Sequence, residues 1–351
     1  MHVRKTTARL VAAVVATLAL GVSSAPIASP ATAAPTTRLA APDDEGGTPA
    51  LRAQLETASK GWLDAKAALE RSTKRQQELN TQLKTVESEL TVRSGKVGEI
   101  AGVAYRTGRL GPMSALLNSS SPEGFLDRAA ALETVATNED RELRDLLRTR
   151  DEANRTRAEL NKEIVEQRKQ ITVMAKRKQQ AERALAVAAA DKPAATSGGG
   201  SARGTSTSNA KAAPRNPDGS WPSESCSVND PTPANGCITP RTHNALKQAQ
   251  AAGYTRYVSC YRPSGSGEHP KGRACDFAAQ KNGFGGDATG GDRTYGNNLA
   301  AYFIRNADRL GVLYVIWYRQ IWLPSSGWKS YSGANGDPSS DHTNHVHLSM
   351  Y

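Results

Sequence analysis

Apolar residues return every seven positions along much of the first half of this chain, and few folds accept that spacing. Leu55, Trp62, Leu69, Gln76, Leu83, Leu90 and Val97 form one row. Leu51, Ala58, Ala65, Ser72, Leu79, Val86, Arg93 and Ile100 form the interleaved row. Together they make a heptad seam with polar interruptions. About 55 residues at 1.5 Å rise predict a rod of roughly 80 Å. Gly108, Gly111 and Pro112 stop this helix. A second starts near Ser121-Pro122-Glu123, with Ser as cap and Pro at the first helical position. Its seam is read through Leu143, Leu146, Ala153, Leu160, Ile164, Ile171, Met174, Ala181 and Leu185. Two long helices with a short joint predict a long antiparallel α-helical coiled-coil hairpin over residues 50–190.

The joint is unusually apolar. Tyr105, Leu110, Met113, Leu116, Leu117, Phe125 and Leu126 gather at the tip of a thin rod with little interior. They form either a small local cap or a docking patch for another protein.

The flanking segments are read from composition. A basic start (His2, Arg4, Lys5, Arg9), an apolar run from Leu10 to Val22 and the small-residue site Ala31-Thr32-Ala33 predict a secretory signal over 1–33. The apolar run is short of the ~20 residues a bilayer span needs. Residues 34–49 read as disordered and 191–220 as a flexible Gly/Ser/Pro linker. The chain of 351 residues carries a net charge of +11. Losing Arg4, Lys5 and Arg9 with the signal leaves it basic, which suits anionic wall polymers or membrane surfaces. No nucleic-acid partner is expected, because no basic run is interleaved with aromatics.

Residues 221–351 differ in composition. All tryptophans but Trp62 lie there, as do all four cysteines, Cys226, Cys237, Cys260 and Cys275. An even count in an exported chain predicts two disulfides. Of three possible pairings, Cys226–Cys237 and Cys260–Cys275 are preferred because each closes a short loop. Mixed helix and strand patterns predict a small α+β domain, with strands at 255–261, 274–278, 312–317 and 345–350 and helices at 240–252 and 297–310.

Two stretches of this domain carry chemistry: His269-Pro270-Lys271-Gly272-Arg273-Ala274-Cys275-Asp276 and His342-Thr343-Asn344-His345-Val346-His347. Gly272 permits a tight turn between His269 and Asp276. Asp276 falls on a strand whose face it shares with Ala274 and Ala278, and His345 and His347 share a face of the last strand. His269, Asp276 and His347 are the expected zinc ligands, leaving a fourth position for water, as in catalytic rather than structural zinc. His345 and His342 are the candidate proton acceptors. Glu268 and Asp341 are weaker candidates, read as solvated charges.

These motifs resemble the zinc peptidases of bacterial cell walls: the D-Ala-D-Ala carboxypeptidases and dipeptidases, the penicillin-insensitive murein endopeptidase and the lysostaphin-type enzymes. The resemblance covers roughly residues 240–351. It implies that His269 and Asp276 of HxxGxxxD and His347 of HxH bind zinc. Ser259-Cys260-Tyr261-Arg262 is similar to the group's Ser-x-Tyr-Arg element, which implies that Arg262 contacts substrate. The carboxypeptidase branch has a Glu base three residues before the last ligand, where this chain has Asn344. The HxxHxH spacing looks like the murein endopeptidase branch, in which a histidine takes that role. The front half is similar to the coiled-coil region of secreted actinobacterial wall hydrolases, through Tyr105-Arg106-Thr107-Gly108-Arg109-Leu110, Leu116-Leu117-Asn118-Ser119 and Pro122-Glu123-Gly124-Phe125-Leu126. That implies a regulatory hairpin able to dock on a membrane protein through Leu110, Met113, Leu116, Leu117 and Phe125. The combined expectation is an exported, wall-associated zinc peptidase acting on peptidoglycan stem peptides. The alternative is a non-catalytic wall-binding protein with a degenerate site.

Overall fold

The computed structural model describes residues 47–108, 111–190, 209–331 and 336–351. The expected signal, and most of the stretch expected to be disordered, lie outside the described residues. So do Leu110 and the Gly-rich part of the expected linker.

Helix α1 (Pro49–Thr107) begins where Thr48 accepts the Leu51 amide and Pro49 supplies the first turn. A short helix α2 (Gly111–Leu117) follows, and α3 (Pro122–Ala190) is capped by Ser121, whose hydroxyl accepts the Gly124 amide at 3.1 Å. Cross-helix pairs run in opposite directions along the two long helices: Arg75–Glu159 at 3.3 Å and Arg93–Asp145 at 3.3 Å. Ser72 bonds Glu163 nearer the base. The row Leu51, Ala58, Ala65, Ser72, Leu79 and Val86 is buried along this contact, with Ala153 and Ala181 opposite. Leu143 and Ile171 are exposed instead, and Thr149 and Thr156 take buried places between the helices. A seam of this polarity gains less from burial than an all-Leu one.

The C-terminal part is built on a six-stranded sheet in the order β3-β4-β8-β5-β6-β7. Its strands are β3 (Val258–Ser259), β4 (Ala274–Ala278), β5 (Val312–Trp317), β6 (Gln320–Leu323), β7 (Gly327–Ser330) and β8 (His345–Met350). Every pairing is antiparallel. A two-stranded ribbon, β1 (Val228–Asn229) with β2 (Cys237–Ile238), precedes it. Helices α4 (Pro240–Ala251), α5 (Gly290–Arg305) and α6 (Ala307–Leu310) complete the domain. Both expected disulfides are present, Cys226–Cys237 and Cys260–Cys275.

Alternation along the strands divides the sheet into two faces. Phe277, Val315, Trp317, Val346, Leu348 and Met350 share a core with Leu246 of α4 and Leu299 and Phe303 of α5. The other face carries Asp276, His345 and His347 alongside Tyr314 and Ile316, because Asp276 pairs with His347 and His347 with Ile316. On this second face Tyr314, Ile316, Ile321 and Tyr331 pack with Leu51, Leu55 and Ala58 of α1 and Ala181, Ala184 and Leu185 of α3. The base of the long helices therefore forms the second layer over the sheet.

Residues 209–220, within the stretch expected to be linker, lie against the domain. Ala210 and Ala213 are buried, the Ala213 amide donates to the Arg309 carbonyl at 2.7 Å, and Asn306 holds the Ala210 amide. The domain thus extends upstream of Trp221. No helix among the described residues is long and apolar enough to cross a membrane.

Candidate metal centre

Local chain geometry brings His269 and Asp276 together. His269 opens a 3-10 turn (His269–Lys271) that ends at Gly272 with φ of +67°. The chain then enters β4. A Cβ at Gly272 would fall 2.5 Å from Cys226 Sγ and 2.7 Å from the Cys237 carbonyl. Only glycine meets both the left-handed backbone and the close approach of the β1–β2 ribbon. His347 arrives from the neighbouring strand, directly opposite Asp276.

His269, Asp276 and His347 each present one ligand atom, all within 4.8 Å of one another, and all three residues are buried. Asp276 Oδ2 lies 3.1 Å from His269 Nε2, and Asp276 Oδ1 lies 2.8 Å from His347 Nδ1. The remaining imidazole nitrogens are engaged elsewhere. His269 Nδ1 meets the Cys260 carbonyl, which can only accept, so Nδ1 carries a proton and Nε2 is the nitrogen turned toward Asp276. His347 Nε2 pairs with Ser349 Oγ at 2.7 Å. Ligating histidines are held in this way, with the second nitrogen fixed by a carbonyl or polar side chain. Burial alone would raise the Asp276 carboxyl; the His269, His345 and His347 rings around it hold it well below the usual range. A buried carboxylate with two imidazoles turned toward it fits a divalent cation, and the group can hold a metal ion.

Two further imidazoles stand beside the cluster. His345 Nδ1 donates to Asn344 Oδ1 at 2.6 Å, while the Asn344 amide donates to the Gly285 carbonyl and to Ser339 Oγ. These bonds fix the amide's orientation, so His345 Nε2 carries the lone pair and lies 3.4 Å from Asp276 Oδ1. Asn344, at the position where the resemblance expects a Glu base, acts here on the orientation of His345. His342 sits at φ +53°, a strained backbone for a non-glycine residue. Its Nδ1 donates to the Ser340 carbonyl and its ring lies 4.7 Å from that of His345. Burial drives both rings toward the neutral form, His345 to about 4 and His342 well below its ordinary value.

Arg262 is buried with Nη1 3.7 Å from Asp276 Oδ2. Glu268 and Asp341 are not solvated as the sequence suggested. Glu268 is buried against Lys271 and Arg273, and Asp341 against Arg319 at 2.7 Å. Three participants were not anticipated. Tyr314 stacks on His347 with centroids 5.8 Å apart. Tyr331 meets the His342 ring edge-on. Ser349 supports His347. Ser349 was findable, since strand alternation puts it on the face of His347.

A family model described as VldE, C-terminal domain, matches residues 234–346, under half of the chain. That span contains every residue of the cluster except His347. No curated protein and no solved structure matches this chain.

Proposed function

We propose that this protein is an exported zinc peptidase that hydrolyses peptide bonds in peptidoglycan stem peptides. The observation that carries the reading is the two-histidine, one-carboxylate cluster with the far nitrogen of each histidine already fixed. Three protein ligands are one short of a closed structural site. Zinc held by His269 Nε2, Asp276 and His347 Nδ1 would supply Lewis-acid polarisation of a peptide carbonyl and acidify water. His345 Nε2, neutral and oriented by Asn344, is the proton acceptor, with His342 beside it as a relay. Arg262 is the counter-charge for a substrate carboxylate or carbonyl. The two disulfides suit an oxidising, extracellular setting. The paired long helices are read as a coiled coil that positions this domain, and its apolar tip as the contact for a membrane-protein partner.

The test is metal content and muropeptide release. The full chain should purify with one zinc, and His347→Ala should lose both zinc and the release of new fragments from peptidoglycan. A full chain with no zinc and no new fragments on any wall preparation overturns the reading. The presence of Asn344 in place of a carboxylate base favours a second possibility, a wall-binding protein without turnover. It predicts wall binding that survives His347→Ala with no hydrolysis in any form.

A further inference from the structure

Two indoles line a crevice that the metal cluster does not share. Trp62 of α1 packs against the apolar cluster on the metal's side of the sheet, and Trp322 of β6 packs against the core on the other side. Between them lies a crevice of about 170 Å³. Leu63 and Val312 line it and are buried, while both indoles are half-buried. Lys66 and the exposed Asp308 also line it, and they pair at 2.6 Å. Among the described residues, neither the Trp62 nor the Trp322 indole N–H has a hydrogen-bond partner, whereas fully buried Trp317 donates its own to Asn297 at 2.8 Å. Val312 stands four residues along β5 from Ile316, which pairs with His347. At about 3.3 Å per residue that is roughly 13 Å of strand.

We propose that this crevice is a saccharide subsite, holding one sugar ring of the glycan strand to which stem peptides are attached. This rests on reading the protein as one that works on peptidoglycan. The size fits: at ~30 Å³ per water the space holds about five or six water molecules, enough for one ring and too little for a folded peptide. The chemistry fits as well. A metal ion finds no ligand set here, since the carboxylate of Asp308 is already paired with Lys66. A purely apolar guest would leave that ion pair and two indole N–H groups to one side. A sugar ring has C–H faces for the indoles and for Leu63 and Val312, and hydroxyls at its edge for the N–H groups, the ammonium and the carboxylate. An apolar lining with a few convergent polar groups is the usual make-up of a small-ligand site. The separation along β5 keeps the sugar off the metal ligands, so the two sites bind independently.

The test is a titration of the full chain with a soluble tetramer of N-acetylglucosamine, followed by tryptophan fluorescence and by calorimetry. The native protein should bind it with a millimolar or tighter dissociation constant. Trp62→Leu and Trp322→Leu, which keep apolar bulk but remove the flat ring and its N–H, should each weaken binding about three- to tenfold. His347→Ala should bind the tetramer as the native protein does. Thermal unfolding reports whether each variant is folded, and the milder Asp308→Asn, which alters only the polar edge, should also weaken binding. No binding by the native protein at millimolar tetramer overturns the inference. So does binding that is unchanged in both tryptophan variants, or a stem peptide free of sugar that competes for the same indoles. The two readings fail separately. Tetramer binding by a chain that holds no zinc and releases no muropeptides keeps the subsite and removes the peptidase. Muropeptide release by a chain that ignores the tetramer removes the subsite and keeps the peptidase.

Discussion

Ser349 hardly registers as a functional residue, yet its hydroxyl sets which nitrogen of His347 faces Asp276. Removing such a support usually costs ten- to a hundred-fold in metal affinity. Ser349→Ala should therefore weaken zinc binding by about that factor in a competition titration, with little change in the fold. An affinity equal to the native protein's would place the ligand atom of His347 elsewhere. Protonation provides a second check at this scale. The folded His345 ring titrates near 4 against an ordinary 6.5, so between those values the unfolded chain binds a proton the folded one refuses. The metal-free protein should lose stability as pH falls through that window, and His342 adds in the same direction. Glu268 opposes them. Burial chiefly, with Glu56 beside it, pushes its carboxyl up to about 7 despite Arg273 and Lys271. The folded state then gains the proton first as pH falls from about 7 toward 4.5. Glu268→Gln should steepen the acid loss seen in urea midpoints across pH. A profile identical to the native one would remove Glu268 from this balance.

Among the elements, β4 and β8 owe their placement to two small devices. One is the glycine at position 272. Gly272→Ala should destabilise the domain by more than about 1 kcal/mol, since both backbone and packing resist a Cβ there. It should also lower zinc retention, because the turn sets the His269–Asp276 distance. The other is the Cys260–Cys275 bridge, which spans 15 positions and flanks both the carbonyl that holds His269 and Asp276 itself. Replacing both cysteines by Ala should cost about 3 kcal/mol in chemical denaturation. Strand spacing was legible here. The runs Ala274–Ala278, Val312–Trp317 and His345–Met350 appear in the structure at the limits their patterns suggested. Elsewhere the pattern was weaker. β6 and β7 are four residues each, and their ladder pairs Trp322 with Trp328 across a turn that shows no strong hairpin signature. Helix α5 starts at Gly290 in a glycine-rich stretch that local propensity assigns to loop. Tertiary packing decides otherwise, since Gly296 lies so close to Trp317 that a Cβ would sit 2.3 Å from its ring. The meeting of His269, Asp276 and His347 could be read from two motifs because strand alternation fixes which side chains share a face. The cover over it could not. Leu51, Leu55 and Ala58 continue the heptad rows that face α3 further along, and the same residues serve both contacts.

For the molecule as a whole, the metal should contribute directly to stability. Binding at a hundred times the dissociation constant adds about 2.7 kcal/mol. Adding a chelator should lower the unfolding temperature of native protein and leave that of Asp276→Asn unchanged. Equal shifts in both would mean the metal binds outside this cluster. The length of α1 has a mechanical consequence. Its 59 residues span about 88 Å along the helix axis at ordinary helical rise. If the paired helices pivot about their base as a stiff arm, a tilt of about 6° displaces the far end by roughly 9 Å. A slight rotation against the sheet domain is thus readable as a large excursion at the distal end. Conversely, a modest sideways tug there arrives at the fulcrum as torque.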